Sequence, residues 1–262
     1  MTGQQDVFTH LAEETEAVDR MVAGLDAAQL EKPTPAPGWT VAHQVGHLAF
    51  IFRLAGAAAA DPETFKAMTA GAEKDFDGAV NAALQPYLAE SPEGLIARWQ
   101  SESADAVKAL SAVDEPVVPW LVRPLPPAVL ACAGMMELIG HGQDIADALG
   151  VERPLTDRVK WVCGFAVQVW DFGYLARGET PPDTTFRFEL TSPSGELWEF
   201  GPEDATQKIT GSAADFCLLV TRRRHRDDTD IEATGPDADH WVDIAQAYRG
   251  SPGAGREAGQ FA

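Results

Sequence analysis

MMELIGHGQDIADALG, residues 135–150, places Glu137 and His141 four positions apart in an otherwise apolar run. At helical pitch both side chains leave one face, a turn apart, so a carboxylate and an imidazole sit together among Met, Leu and Ile. The run extends back to about residue 128 and stops at Gly150, a residue type suited to the left-handed position after a helix end. Before it comes DEPVVPWLVRPLPP (114–127), with five prolines in fourteen residues. That density excludes a helix and predicts a stiff, extended loop.

PGWTVAHQVGHLAF (37–50) repeats the pattern with His43 and His47. Thr40 is well placed as an N-cap. Val41, Val45, Leu48 and Phe52 form one stripe, with Ile51, Leu54 and Ala58 in another beside it. A helix apolar over most of its circumference suits the centre of a bundle. Upstream, Val7, Leu11, Val18, Met21 and Leu25 predict an amphipathic helix over 5–26, with Glu14 in a slot of its apolar stripe. A third helical region, broken or continuous, follows DPETF and runs to about 111. Four long helices with Pro-rich connections predict an up-down four-helix bundle over 1–152.

The segment 153–178 reads as one more helix and, with PPD at 181–183, makes 153–182 a connecting helix and linker. Beyond it Phe186, Phe188 and Leu190 alternate with Thr185, Arg187 and Glu189; SPSG offers a turn before LWEF, and a β-hairpin follows. KIT leads to a short helix, ADFCLLV, capped by Ser212 with Asp215 three positions on. IEATG is another strand and DADHWVDIAQAYRG a last helix, so 183–250 is expected to be a small α/β module. The tail, 251–262, reads as flexible. The fold class expected is α+β with two domains.

The 262 residues carry forty acidic and twenty basic side chains, a formal charge of −20. Such a balance opposes contact with nucleic acids or anionic membranes, which depends on Lys and Arg neutralising phosphates. Cys132, Cys163 and Cys217 lie far apart in apolar surroundings with no CxxC pair, which argues for a reduced setting, against disulfides and against a thiolate zinc site. The acidic N-terminus lacks the apolar core of a signal peptide, and the longest apolar stretches, interrupted by Arg53 or Glu137, fall short of a membrane span. A cytoplasmic protein, monomer or homodimer, is expected.

Two ligands at i and i+4 can share one divalent ion, with a third supplied by another element. His47, in the middle of a very apolar helix, is the natural third ligand. An ExxxH pair also occurs as a plain ion pair, and a histidine in an apolar helix as a hydrogen-bonded core residue. The joint occurrence of both in the two most apolar helices sets metal level with those plain roles, since bundle interiors host such sites. His43 offers a rival HxxxH spacing, but as the third helical residue after Thr40 it suits a cap or the rim. Asp144 and, more weakly, Glu14 are candidates to hold a ligand's free N–H.

GWTVAHQVGHL followed by ELIGHGQDIADALG resembles the DinB/YfiT-like superfamily, and more closely the mycothiol-dependent maleylpyruvate isomerase-like proteins of actinobacteria. The resemblance spans essentially the whole chain, and residues from 184 onward resemble that group's small sterol-carrier-like module. It implies a DinB-like bundle whose metal ligands match His47, Glu137 and His141. It also implies mycothiol or a similar thiol as cosubstrate and an arginine of the C-terminal module in the active site. Within TRRRHRDD (221–228), Arg222 matches that position best, though Arg223 or Arg224 could equally face inward, and the run also reads as a solvated turn of Arg–Asp pairs. His43, Phe52 and the bland Leu138-Ile139-Gly140 depart from relatives and imply a more apolar pocket mouth.

A divalent ion on two imidazoles and a carboxylate keeps positive charge and open positions; zinc is the default, with nickel, iron or manganese also accommodated. The leading expectation is a thiol-dependent transferase or isomerase acting on a small carboxylate-bearing electrophile. In it Arg222 grips the carboxylate and the 114–127 loop with Trp120 walls the pocket. Two alternatives stand beside it. One is a thiol-independent metal-dependent hydrolase or isomerase of a biosynthetic intermediate. The other is a non-catalytic metal- and hydrophobic-ligand-binding protein, which requires an apolar cavity in 183–250.

Overall fold

A computed structural model describes residues 2–70, 76–121 and 123–261. The chain divides into two compact units, Met1–Arg153 and Pro154–Ala262.

The first unit is helical: α1 (Thr2–Val22), α2 (Ala27–Leu30), α3 (Val41–Ala60), α4 (Pro62–Thr69), α5 (Phe76–Leu88), α6 (Pro92–Ala112) and α7 (Pro127–Leu149). Helices α1, α3 and α7 fall where the periodicity predicts helix. The third helical region is divided into α4, α5 and α6, and its residues 71–75 lie outside the described ones. Pro62 and Pro92 open α4 and α6, with Asp61 and Ser91 as caps whose side chains accept from Thr64 N and Gly94 N.

Helix α3 packs along α6 and α7, and α1 packs on α7 and α6. Both α3 stripes enter this core; Val41, Val45, Leu48, Phe52, Leu54 and Ala58 are buried. Phe52 meets Trp99 of α6 edge-on at 5.5 Å. Gly56 lets α3 approach α6 closely, because a Cβ there would lie 3.2 Å from the Ala106 Cα. The Pro-rich loop, expected to be extended, doubles back instead: Val118 and Leu125 form an antiparallel bridge with paired backbone hydrogen bonds. Gly150 ends α7 with φ 67°. Among the described residues no helix is long and apolar enough to cross a membrane.

The second unit contains α8 (Lys160–Gln168), α9 (Phe172–Leu175), β1 (Phe186–Thr191), β2 (Leu197–Phe200), β3 (Gln207–Ser212), α10 (Ala213–Val220), β4 (Glu232–Thr234) and α11 (Pro236–Ile244). The sheet order is β2-β1-β3-β4, with β1 antiparallel to β2, parallel to β3, and β3 antiparallel to β4. Phe186, Phe188 and Leu190 face the core, where Phe188 meets Phe216 and Trp241 edge-on. Ser212 caps α10 by accepting from Asp215 N.

Four features of this half are set by its packing. The helix expected over 153–178 breaks after Gln168, because α11 docks there: the Trp241 indole N–H donates to Trp170 O, and Gly173 comes so near the Ile244 carbonyl that no Cβ fits. The segment read as a connector packs within this unit, α8 lying on α10. Cys163 and Cys217, far apart in sequence, are neighbours in the core, their Sγ atoms 3.7 Å apart and unbridged. The tail read as flexible makes definite contacts: Gly259 N donates to Asp228 Oδ1, and the Phe261 ring lies under the Arg224 guanidinium.

Candidate metal centre

Helix α7 presents Glu137 and His141 one turn apart, and α3 brings His47 to them from the neighbouring helix. Glu137 Oε2 lies 3.1 Å from His141 Nε2 and 3.4 Å from His47 Nε2. The two imidazole centroids are 4.3 Å apart, and all three donor atoms lie within 4.8 Å of one another. A tetrahedral ion with ligand distances of about 2.1 Å separates its ligand atoms by about 3.4 Å, so this trio fits a single divalent ion. The donor set, two nitrogens and one carboxylate oxygen, suits zinc and its neighbours. The side chains of His47, Glu137 and His141 retain 12, 20 and 16% of their exposure, so a small molecule can reach the cluster.

Electrostatics favour an ionised Glu137. Burial pushes its carboxyl up, but hydrogen bonds from His141 and His47, and their charges, outweigh burial and hold it far below the usual carboxylate range. His47 Nδ1 is buried without a hydrogen-bond partner among the described residues, which leaves Nε2 as its engaged nitrogen.

Two residues that the sequence reading did not single out complete the surroundings. Trp39 stacks on His141 at 5.9 Å and tilts against His47 at 5.3 Å and His43 at 6.1 Å. It is set there by the loop before α3, where Thr34 N and Thr34 Oγ1 both donate to Trp39 O and Gly38 takes φ 77°. Gln44, fully buried on α3, places Oε1 2.6 Å from His141 Nδ1 and Nε2 3.0 Å from Thr34 Oγ1 and 3.3 Å from Asp144 Oδ2. A buried amide in an apolar helix, one turn before His47's neighbour Leu48, was the available signal.

The remaining candidates fall in several places. His43 closes a capping box, its Nδ1 accepting from Thr40 N at 3.2 Å; burial lowers its pKa. Asp144 is buried and accepts from Gln44 Nε2, the amide whose oxygen faces His141. Glu14 accepts from Arg153 at 2.7 Å, and Arg153 in turn donates to the carbonyls of Leu138 and Ile139, so this acid ties α1 to the end of the first unit. Trp120 stacks on Phe65 of α4 at 5.9 Å.

Arg222 belongs to the second unit. It is the one described non-glycine residue with positive φ, at 60°, just past α10, and its Nε is buried without a partner among the described residues. Arg223, Arg222, Arg177 and Arg256 surround the Tyr248 phenol: burial pushes its pKa up and their charges oppose that rise. A cavity of about 180 Å³ here is lined by the basic Arg222, Arg224, His225, Arg226 and Arg256 together with Asp243 and the apolar Leu219, Val242, Ala245 and Ala254.

The family described as mycothiol maleylpyruvate isomerase N-terminal domain matches residues 11–146, which include all three converging side chains. A second family, described as wyosine base formation, matches 182–234, the region of the sheet. In each of two strains of Mycobacterium tuberculosis an uncharacterized protein is 42% identical over 247 residues, 94% of this chain and 96% of the relative. Among solved structures, the chain is similar to a histidine-to-alanine mutant of the mycothiol-dependent maleylpyruvate isomerase (TM-score 0.58, 16% identity, 89% of this chain and 95% of the other). The same isomerase without the mutation gives 0.54 and 15% over the same shares. At such identity these two structures speak to fold, which is mixed helical with a small sheet.

Proposed function

The chain belongs to the family of the mycothiol maleylpyruvate isomerase N-terminal domain, and from that membership we propose that it is a metal-dependent enzyme using a low-molecular-weight thiol, mycothiol in class, to transfer sulfur to, or to isomerise, a small electrophilic acid. The observation that carries this reading is the meeting of His47, Glu137 and His141 within 4.8 Å at a solvent-reachable position. These three would hold the ion, with zinc the best match to their chemistry. When bound, a divalent ion lowers the pKa of a thiol or water and polarises a carbonyl.

The chain's own groups account for the rest. Trp39, against both imidazoles, shields one side of the site from water and gives a flat apolar wall for a substrate. Arg222 is assigned to a substrate carboxylate, which a guanidinium binds by two parallel hydrogen bonds. The thiolate sulfur, its proton given up to solvent, adds to one carbon of the acid's conjugated double bond, whose π pair moves toward the carbonyl. After rotation about the resulting single bond the pair returns and sulfur leaves as thiolate, whereas in transfer the adduct carbon takes a proton and the carbon–sulfur bond stays.

The test is metal analysis of the purified chain followed by turnover assays with and without thiol. One divalent ion per chain and thiol-dependent turnover are expected. A metal-free protein, prepared so that zinc proteins keep their zinc, sinks the reading. Equal turnover without thiol replaces it with the hydrolase or thiol-independent isomerase.

A further inference from the structure

We infer that Gln44 is the positioning residue of the centre: it fixes which nitrogen of His141 carries hydrogen and so leaves Nε2 as the ligand atom. This rests on the metal reading above only for its consequence; the hydrogen-bond argument stands on the protein alone.

The argument starts at the loop. Thr34 Oγ1 has one hydrogen, and it donates this to Trp39 O at 2.9 Å. Toward Gln44, 3.0 Å away, Thr34 Oγ1 can therefore only accept. The Gln44 atom facing it must be the amide nitrogen. That nitrogen's other hydrogen goes to Asp144 Oδ2 at 3.3 Å. The flip that exchanges Gln44 oxygen and nitrogen would set the Gln44 oxygen against the Asp144 oxygen in a fully buried place. Gln44 Oε1 is thereby directed at His141 Nδ1, 2.6 Å away, and an acceptor there requires Nδ1–H. Nε2, on the opposite side of the ring, faces Glu137. The orientation of His141 is thus decided by a chain that begins at a loop carbonyl, runs through Thr34 and Gln44, and ends at the centre. Asp144 serves by holding Gln44.

Two measurements test it. The first uses the wild-type chain and nitrogen-detected NMR of histidine. Without metal, His141 is expected to show a protected, hydrogen-bonded Nδ1–H; with zinc added, Nε2 is expected to take the metal shift. A ring whose hydrogen sits on Nε2 alone, or zinc bound through Nδ1, overturns the inference. The second is zinc affinity by competition with a chelating dye. Gln44→Leu, which leaves Nδ1 without an acceptor, is expected to weaken binding about 10- to 100-fold, as loss of an outer partner does elsewhere. Gln44→Glu combined with Asp144→Asn, which keeps an acceptor toward His141 and sets an amide against the new carboxylate, is expected to retain more affinity than Gln44→Leu. Gln44→Leu that folds and binds zinc like wild type overturns the assignment. If the wild-type chain takes no zinc, the proposed function fails, and the Nδ1–H signal of the metal-free protein still decides the role of Gln44.

Discussion

The converging side chains of the helical unit and the arginine-lined cavity of the second unit are both charged places, built in opposite ways. In the helical unit one carboxylate and two imidazoles stand on long, well-packed helices, and each donor atom is aimed by helix register. In the second unit five basic side chains line a cavity beyond the end of an eight-residue helix, on a stretch whose first arginine takes a left-handed backbone. Rigid elements define positions to within fractions of an ångström; irregular segments bring charges together without fixing which one acts. That is why the triad could be named residue by residue, while Arg222 had to be separated from Arg223 and Arg224.

The comparison breaks first at the metal ligands. His47→Ala or His141→Ala is expected to reduce bound metal from about one ion per chain to near zero, read by elemental analysis, with the far-ultraviolet helical signal kept. Glu137→Gln should lower thiol-dependent turnover by at least about 100-fold, on the scale of losing several kcal/mol of electrostatic stabilisation; full activity in this variant would mean that the cluster is not the reacting centre.

Buried charge supplies the next contrast. Arg153→Met leaves Glu14, 4% exposed, without its cation, and should cost about 3–5 kcal/mol in urea unfolding. Arg222→Ala should raise KM for a carboxylate substrate about 10- to 100-fold if its guanidinium makes one or two charge-assisted hydrogen bonds, with Arg222→Lys between it and wild type. An unchanged KM would hand the role to Arg223 or Arg224. The smallest effect is expected for Arg226→Ala: its partners Asp239 and Asp243 are more than half exposed, so the loss should stay within about 1 kcal/mol.

The long helices were legible because burial writes itself as a three-to-four-residue period, and the caps Thr40 and Ser212 and the stop at Gly150 because backbone ends need particular side chains. The break after Gln168 was not legible: local propensity favours helix there, and only the Trp241 indole and the Ile244 carbonyl overrule it. Glu14 illustrates the same limit. An acid in an apolar stripe announces a partner, but nothing along the chain says that the partner is Arg153.

Sequence alone determined the donor types and the helix faces they leave, since periodicity is a property of neighbours three and four residues apart. Tertiary structure decided the rest: that α3 crosses α7 where His47 meets Glu137, that the loop before α3 folds Trp39 onto the imidazoles, and that Gln44 Oε1 comes to His141 Nδ1. Those are contacts between residues about 90 to 100 positions apart, set by how packed helices cross, and helix crossing is fixed by the whole core rather than by any one stretch of it.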